Sequence, residues 1–336
     1  MAGNIPIGRY FDDPDELFMW VNRAVMGIAC INLANRAGVT VRLLQAPATP
    51  AQLAAEAQLP ADKLARVLNY LHAHELIARA ADGTYHATER TRMLQVAEGY
   101  FVNAETTATS AAQLLGGMRQ DCSAFELQFG QPVFEYFAQR PERSALFASF
   151  MGFMTRRVTR FLFAQHRFQP FTSVADLGGS MGDLLLAVLQ EYPGTRGILF
   201  DLPDTIALAA KALAAEPLAP RVELLAGNFF AAVPVAELYL LKQILHDWND
   251  DECRTLLGCV RQAIPAQGRL VIIEHILHEV PVPDEGQGTD IAMMILATGR
   301  ERRLTEFAAL LRDSGFTIDR VSRNPGGHSV IEAVPV

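Results

Sequence analysis

The spacing of hydrophobic residues changes along this chain, and it separates a helical first half from a second half in which strands and helices alternate. Residues 14–37 and 60–74 carry their apolar side chains at helical spacing. From residue 173 onward, short apolar runs typical of buried strands, such as residues 197–200, are followed by segments with helical periodicity. This alternation predicts a parallel sheet with helices on both faces.

The segment after the first helix has the pattern of a winged helix. A helix over residues 49–57 is followed, after a short connection, by the helix over residues 60–74. Residues 76–88 then predict a small hairpin around an Asp-Gly turn. We therefore expect a winged-helix domain near the start of the chain.

A winged helix admits two functions, DNA binding or dimerisation. The second helix offers Lys63 and Arg66 but no basic cluster that could contact phosphates, so a DNA-binding regulator remains a remote alternative. The apolar face of residues 14–37 is broader than the core of one small domain requires. That excess favours a homodimer formed through this domain.

The middle of the chain, from about residue 93 to residue 171, is predicted to be helical, with helices over residues 110–118, 132–140 and 144–163. Phenylalanine and methionine crowd the last of these, including Phe147, Met151 and Met154. Such a stripe usually forms core, but phenylalanine and methionine also suit the wall of a pocket for a flat aromatic ligand, and one helix can do both. Both interpretations stay open for this helix.

Residues 173–201 have the order strand, glycine turn, helix, strand, which is the pattern of a nucleoside-binding crevice. Asp176 precedes the turn that contains Gly178, Gly179 and Gly182, and Asp201 ends the second strand, where a ribose diol is usually held. The spacing lacks both the glycine that a dinucleotide fold requires at position 180, where this chain has Ser180, and the lysine of a phosphate loop. A cofactor with ribose and adenine but no phosphate fits better, which indicates S-adenosylmethionine, although a glycine turn in an unrelated α/β domain is the alternative.

The end of the chain departs from strict alternation. A helix over residues 305–314 leads to two strands, residues 316–321 and 328–334, that are joined by a tight turn and must be antiparallel. A single reversed strand in a parallel sheet is typical of the class I methyltransferase fold. The predicted domains are a winged-helix dimerisation domain (1–95), a helical connector that contributes to the substrate pocket (96–170) and a Rossmann-like catalytic domain (171–336).

Composition narrows the function classes. The 336 residues include 50% hydrophobic and 20% charged residues, enough for a large core, and a net charge of −8 that opposes general affinity for nucleic acid or anionic membranes. The four cysteines are scattered without a metal-binding spacing, so neither a zinc site nor a disulfide framework is expected. With no apolar run of membrane-spanning length and no hydrophobic signal core, we expect a cytoplasmic protein.

The residues that could carry chemistry lie at the ends of two strands of the predicted sheet and before the final helix. Lys242 and His246 come directly after the strand over residues 238–241, Glu274 ends the next strand, and Glu301 precedes the final helix. Ligands bind at the carboxyl ends of the strands in open α/β sheets. A lone histidine is more often structural, but acids near it can hold its tautomer and stabilise an imidazolium, so His246 is the candidate base.

These motifs resemble the small-molecule O-methyltransferases of plant phenolic type and their bacterial natural-product relatives, over nearly the whole chain. The matching motifs are DLGGSMG, LFDLP and LLKQILHDWNDDE. The resemblance implies that His246 is the catalytic base, helped by Glu274 and Glu301. It also implies a cofactor site formed by Asp176, Gly178, Gly179, Gly182, Asp201, Leu202, Asn228, Phe229 and Lys242.

The chain departs from the family pattern at two places. Ser180 replaces the third consecutive glycine, and Asn228-Phe229 stands where the family usually has Asp-Met. Asn228 can still hydrogen-bond to adenine and Phe229 can still stack on it, with different donors and a larger side chain. We therefore expect adenine to be bound here, but with a geometry that differs from that of the family.

The resemblance implies methyl transfer from S-adenosylmethionine, leaving S-adenosylhomocysteine, to a hydroxyl of a polycyclic aromatic natural product such as a phenazine or an anthracycline. The base would deprotonate the hydroxyl during an in-line displacement, and no metal is expected. Alternatives are relatives that methylate nitrogen, or that keep the cofactor for hydroxylation or decarboxylation, and these tend to lack the base. The acceptor is expected to contact Phe147, Met151, Met154, Asp247 and Met294.

Overall fold

A computed structural model describes residues 14–324 and 327–336, and in this part the chain divides into two compact units. The first comprises Met1–Thr109 and Glu142–Phe153, and the second comprises Ser110–Pro141 and Met154–Val336. The chain thus passes between the units three times. The helical connector expected over residues 96–170 is shared between both units.

The first unit contains the predicted winged-helix elements. Thr49 caps the helix that follows, because its side chain accepts a hydrogen bond from the amide of Gln52 and Pro50 occupies the first helical position. The next helix buries Leu64, Leu68 and Leu71 on one face. The elements are α1 (Pro14–Arg36), α2 (Val39–Gln45), α3 (Pro50–Glu56), α4 (Ala61–Ala73), β1 (Ile77–Arg79), β2 (Tyr85–Ala87), α5 (Glu89–Val96) and α6 (Glu98–Ala111).

The first helix, α1, leaves large apolar side chains exposed within its own unit. Phe18 is 66% exposed, Trp20 53% and Val25 55%. By length and apolar character no single helix of the described residues could span a membrane, although the bent pair Phe18–Arg36 and Val39–Gln45 passes these two criteria together, with 63° between its halves.

The second unit contains, within the described residues, seven strands that form one sheet: β3 (Ser173–Leu177), β4 (Arg196–Asp201), β5 (Val222–Ala226), β6 (Leu238–Lys242), β7 (Arg269–Glu274), β10 (Phe316–Ser322) and β11 (Ser329–Pro335). Their order in the sheet is β10-β11-β7-β6-β3-β4-β5. Five neighbouring strands are parallel, and β11 is antiparallel to both β7 and β10. The single reversed strand expected from the sequence is confirmed.

Helices cover the sheet, and short elements join them. One long helix, α10 (Pro141–Gln165), replaces the predicted helix over residues 144–163, whereas the helix predicted over residues 110–118 is broken between α6 and α7 (Leu114–Gln120). Two further strands, β8 (Ile276–Leu277) and β9 (Arg302–Arg303), form a short parallel pair. The helices are α7 (Leu114–Gln120), α8 (Ala124–Phe129), α9 (Val133–Ala138), α10 (Pro141–Gln165), α11 (Asp183–Glu191), α12 (Pro203–Leu213), α13 (Asp250–Ala263), α14 (Glu285–Leu296) and α15 (Leu304–Asp313).

The core of the second unit lies on both faces of the sheet. Successive residues of β6 pack into different hydrophobic clusters: Leu238 and Leu240 into one, Tyr239 and Leu241 into the other. This follows from the two-residue repeat of a strand that is buried on both faces. The continuous apolar runs in the sequence therefore correspond to central strands, whose carboxyl ends form one edge.

Candidate active site

The glycine turn after β3 requires small residues for two reasons. Gly178 and Gly182 have φ angles of +68° and +83°, in the left-handed region that favours glycine. A Cβ atom on Gly179 would lie 2.7 Å from the carboxylate of Asp176. Ser180 itself has a φ of +53°. The turn thus keeps the left-handed backbone of a glycine loop although a serine has replaced one glycine.

Asp201 at the tip of β4 is joined directly to this turn. Its Oδ2 atom accepts a hydrogen bond from the amide of Ser180 at 2.9 Å, and its Oδ1 atom accepts one from the amide of Leu202 at 2.7 Å. Burial raises the pKa of Asp201, while these hydrogen bonds act in the opposite direction. The carboxylate therefore fixes the spacing between the ends of β3 and β4, and Leu202 contributes through its main chain.

Asp176 and Lys242 lie inside the same edge of the sheet. Burial raises the pKa of Asp176 to about 7, although the charge of Lys242 opposes the shift. Burial likewise lowers the pKa of Lys242 to about 8 against the attraction of Asp176. Lys242 donates a hydrogen bond to Gln243, whereas Oδ2 of Asp176 is buried without a partner among the described residues.

His246 lies in a 3₁₀ turn, Leu245–Asp247, immediately after β6. The Nδ1 atom of its buried ring is 2.8 Å from Oε1 of Glu301, and its Nε2 atom is 3.5 Å from Oδ1 of Asp247. A carboxylate only accepts hydrogen bonds, so Nδ1 carries the proton of the neutral ring. This assignment leaves the lone pair on Nε2.

The ionisation of His246 is controlled by opposing effects. Burial disfavours the charged ring, but the carboxylates of Glu301 and Asp247 outweigh it and raise the pKa of His246. Burial also raises the pKa of Asp247 to about 6 and that of Glu274 to about 7, against the attraction of His246. The histidine therefore stands among acids that favour its protonated form.

Glu274 contacts the main chain of this turn, not the imidazole ring. Its Oε1 atom accepts hydrogen bonds from the amides of Ile244, Leu245 and His246, at 3.1, 2.6 and 3.3 Å. Glu274 ends β7, which pairs with β6, so its carboxylate meets the backbone that leaves β6. The sequence predicted that Glu274 orients the base, and the contacts indicate that it would do so by fixing the turn.

Aromatic rings gather beside the glycine turn. A Cβ atom on Gly178 would lie 3.7 Å from the ring of Phe229, and that ring meets the indole of Trp248 edge-on, with 6.1 Å between centroids. Asn228 accepts a hydrogen bond from the amide of Phe230. The Nε1 atom of Trp248 is buried and has no partner among the described residues. Trp248 was not among the predicted cofactor contacts, although it belongs to the motif that located His246.

The predicted acceptor contacts are dispersed. Asp247 lies next to the base, Met154 lies in the second unit on α10, and Met294 lies on α14 with 37% of its surface exposed. Phe147 and Met151 fall in the segment Glu142–Phe153 of the first unit. Their approach to the site stays a prediction.

Comparison with known proteins identifies the family. A family model for an O-methyltransferase domain matches residues 111–317. A phenazine O-methyltransferase, PhzM from Lysobacter antibioticus, is 32% identical over 311 residues, which cover 90% of this chain and 91% of that protein.

The chain belongs to the O-methyltransferase family.

Solved structures agree with this assignment. The crystal structure of LaPhzM is similar to this chain with a TM-score of 0.92 and 30% identity, covering 96% of this chain and all of that one. CalO1, a methyltransferase of calicheamicin biosynthesis solved with S-adenosylhomocysteine bound, has a TM-score of 0.75 and 29% identity over 96% of this chain and 99% of its own. The chain is an S-adenosylmethionine-dependent O-methyltransferase with the class I fold, as the sequence predicted.

The residues present fit this cofactor. The buried Oδ2 atom of Asp176, which has no partner among the described residues, is an acceptor suited to an ammonium group. Asp201 adds a carboxylate at the position where a ribose diol is usually held.

Proposed function

We propose that His246 is the general base of O-methyl transfer and that Glu301 and Glu274 hold it in place. The observation that carries the proposal is the 2.8 Å contact between Nδ1 of His246 and Oε1 of Glu301 in a buried setting. With the Nδ1 proton directed at Glu301, Nε2 is the nitrogen able to accept a proton from an acceptor hydroxyl. The Glu301 carboxylate then stabilises the imidazolium that forms.

The cofactor site is proposed to comprise the glycine turn and the polar residues around it. S-adenosylmethionine, when bound, supplies an electrophilic methyl group. Asp201 would accept hydrogen bonds from the ribose hydroxyls, Asp176 from the ammonium group, and Asn228 with Phe229 would hold adenine. The remaining residues of the site are Gly178, Gly179, Gly182, Leu202 and Lys242.

The acceptor is proposed to be a hydroxyl on a polycyclic aromatic compound. The phenazine enzyme that matches nine-tenths of this chain supports this class of acceptor. Asp247, 3.5 Å from Nε2 of His246, would contact the same hydroxyl that the base would deprotonate. Met154, Met294, Phe147 and Met151 are proposed to line the aromatic part of the pocket. The paired base and acid disfavour the relatives that hydroxylate or decarboxylate without a base.

The variant His246→Ala tests the base. We expect kcat to fall by about 10²- to 10⁴-fold, because the base acts in the transition state, while cofactor affinity measured by calorimetry stays the same. The acceptor must be a polycyclic phenol whose hydroxyl pKa lies above the assay pH, with the product identified by mass spectrometry. His278→Ala, at an exposed histidine, is the matched control. Full activity of His246→Ala would show that the reaction needs no base and that the enzyme works by positioning its two substrates.

We also propose that the enzyme is a homodimer formed through the first unit. The exposed apolar side chains of α1, including Phe18, Trp20 and Val25, provide the surface for a second copy. A stable dimer of this kind buries roughly 2,000 Å² or more. Light scattering should give twice the chain mass for wild type and a reduced mass for Trp20→Asp, with exposed Val280→Asp as control. A monomeric wild type at micromolar concentration would contradict the proposal.

A further inference from the structure

The largest fully buried side chain near the site is that of Arg302, which no motif singled out. It is 0% exposed and lies on β9, directly after Glu301. An arginine is almost never fully buried unless its charge and its donors are satisfied. The partners of Arg302 therefore indicate why a cation is kept inside the protein.

The guanidinium group binds the carbonyl groups on both sides of the base. Its Nη1 atom donates to the carbonyl of Leu245 at 2.8 Å, and its Nη2 atom donates to the carbonyl of Trp248 at 2.9 Å. The same group is anchored by Asp250, whose Oδ1 atom accepts from Nε and Nη2 at 3.0 and 2.8 Å. One planar group thus spans the residues that flank His246 and Asp247.

The opposite set of backbone groups is bound by Glu274. Its carboxylate accepts the amides of residues 244–246, whereas Arg302 takes the carbonyls of Leu245 and Trp248. The turn that carries the base is therefore held between an anion that receives its donors and a cation that supplies its acceptors. Both contacts are charge-assisted, which makes them stronger than neutral hydrogen bonds.

A third contact excludes displacement of the turn toward the segment before Glu301. A Cβ atom built on Gly299 would overlap the carbonyl oxygen of His246 and the amide nitrogen of Trp248. Backbone therefore lies directly against backbone here. Three residues of the segment 299–302 therefore contact the turn. Gly299 packs against its backbone, Glu301 binds the ring of His246, and Arg302 binds the carbonyl groups of Leu245 and Trp248.

We propose that Arg302 is a positioning residue for methyl transfer, which holds the main chain around His246 so that the ring stays aligned with Glu301. This inference rests on the proposed role of His246 as base. Arg302 contacts neither reacting group, so its effect on the reaction passes through the turn. A displacement of about 1 Å at a reacting group can cost on the order of 10² in rate.

The variant Arg302→Lys keeps the charge but has a single ammonium group, which cannot bind both carbonyls and Asp250 in the same geometry. We expect kcat to fall by about 10- to 100-fold, with the affinity for S-adenosylhomocysteine changed by less than roughly twofold. The neighbouring exposed residue supplies the matched control: Arg303→Lys should leave kcat within roughly twofold.

A double-mutant cycle separates positioning from a general loss of structure. On the His246→Ala background, Arg302→Lys should lower kcat by less than roughly threefold, since the group that it positions is gone. Should Arg302→Lys fail to fold, Asp250→Ala replaces it, because Asp250 is partly exposed and anchors the same guanidinium. For that variant we expect a smaller loss, on the order of 3- to 10-fold, that also vanishes on the His246→Ala background.

The outcomes are distinguishable. An undiminished kcat in Arg302→Lys, or an equal loss with and without His246, would overturn the positioning role of Arg302 and leave the base intact. Full activity of His246→Ala would instead overturn the base, and the positioning role with it. A loss confined to the background that retains His246 supports both.

Discussion

Nδ1 of His246 lies 2.8 Å from Oε1 of Glu301, a residue 55 positions further along the chain. Although burial opposes the charge on the ring, this carboxylate raises the pKa of His246, so the base form appears only at higher pH. In wild type, kcat/KM should therefore fall as the pH decreases through that raised pKa. Under the proposed mechanism, this contact makes Glu301 the residue that sets the pH range of the reaction.

The variant Glu301→Gln should move the rising limb of the pH profile to lower pH. The amide no longer favours the imidazolium, so the base form persists at a lower pH, while maximal kcat falls because the transition state loses an ionic partner. The measurement is kcat/KM from pH 5 to pH 10 with one acceptor of high hydroxyl pKa. Glu279→Gln, at an exposed acid, should retain the wild-type profile. If the rise of kcat/KM with pH occurred at the same pH in Glu301→Gln as in wild type, Glu301 would not control the pKa of the base.

The variant Asp201→Asn should weaken cofactor binding. The carboxylate accepts the amides of Ser180 and Leu202 with its two oxygens, and an asparagine would direct its amino group at one of these donors. We expect a loss of about 1.5 to 3 kcal/mol in the binding of S-adenosylhomocysteine, measured by calorimetry. Exposed Asp204→Asn is the control. Equal affinities for the two variants would remove Asp201 from the site.

A second prediction of pH dependence concerns folding. Glu332, buried in β11, accepts hydrogen bonds from His166, Arg320 and Arg269, each at 2.8 Å. Burial raises the pKa of Glu332, but the three donors outweigh burial and lower that pKa to about 2. Its stabilisation is therefore fully present above pH 4.5, the ordinary value for glutamate, and is lost as the pH falls toward 2.

The matching variant is Glu332→Gln. It should lower the free energy of unfolding near pH 7 by about 3 kcal/mol, the equivalent of the pKa shift, without changing kcat of the folded enzyme. Denaturant titrations at pH 7 and pH 3.5 should show the difference between wild type and variant shrinking at the lower pH. Glu223→Gln, at an exposed strand position, should have the same free energy of unfolding as wild type at both pH values. A difference that is independent of pH would exclude the carboxylate as its source.

Two buried histidines in contact with each other should make the fold sensitive to mild acid. The rings of His275 and His328 have centroids 4.1 Å apart, and burial lowers the pKa of both. The unfolded chain takes up protons below pH 6.5 that the folded chain excludes, so stability falls as the pH decreases from that value. His328→Phe keeps an aromatic ring without the titration, and its unfolding temperature should decline less steeply between pH 6.5 and 5. If the unfolding temperatures of wild type and His328→Phe declined equally over this pH range, the prediction would be wrong.

Much of the fold could be predicted because its signals are local. The apolar run of β3, the glycines of the turn and the position of Asp201 all follow from adjacent residues, and they predicted the strand, turn, helix and parallel strand that the structure contains. The reversed strand β11 was predictable because a tight turn dictates its direction. His246, Glu274 and Glu301 were found through a motif and its spacing.

The remaining features depend on tertiary contacts that no local pattern contains. The sequence could not indicate that Glu274 binds amides rather than the ring, since that depends on the register of β7 against β6. In the sequence, Arg302 is one of four charged residues in the segment GRERR, and nothing in that segment indicates that it alone among the arginines is buried. Its burial is evident only in the structure. Helix α14 was missed because two glycines interrupt its first turns and its apolar residues form one continuous run, residues 291–296, without helical spacing.

The division of the chain has a practical consequence for recombining this enzyme with its relatives. Because the first unit consists of two separate stretches, replacing it by gene fusion requires three junctions, after Thr109, Pro141 and Phe153. The last of these falls within helix α10. Chimaeras with one crossover will therefore cut through at least one unit, and libraries intended to broaden the range of acceptors should exchange both stretches together.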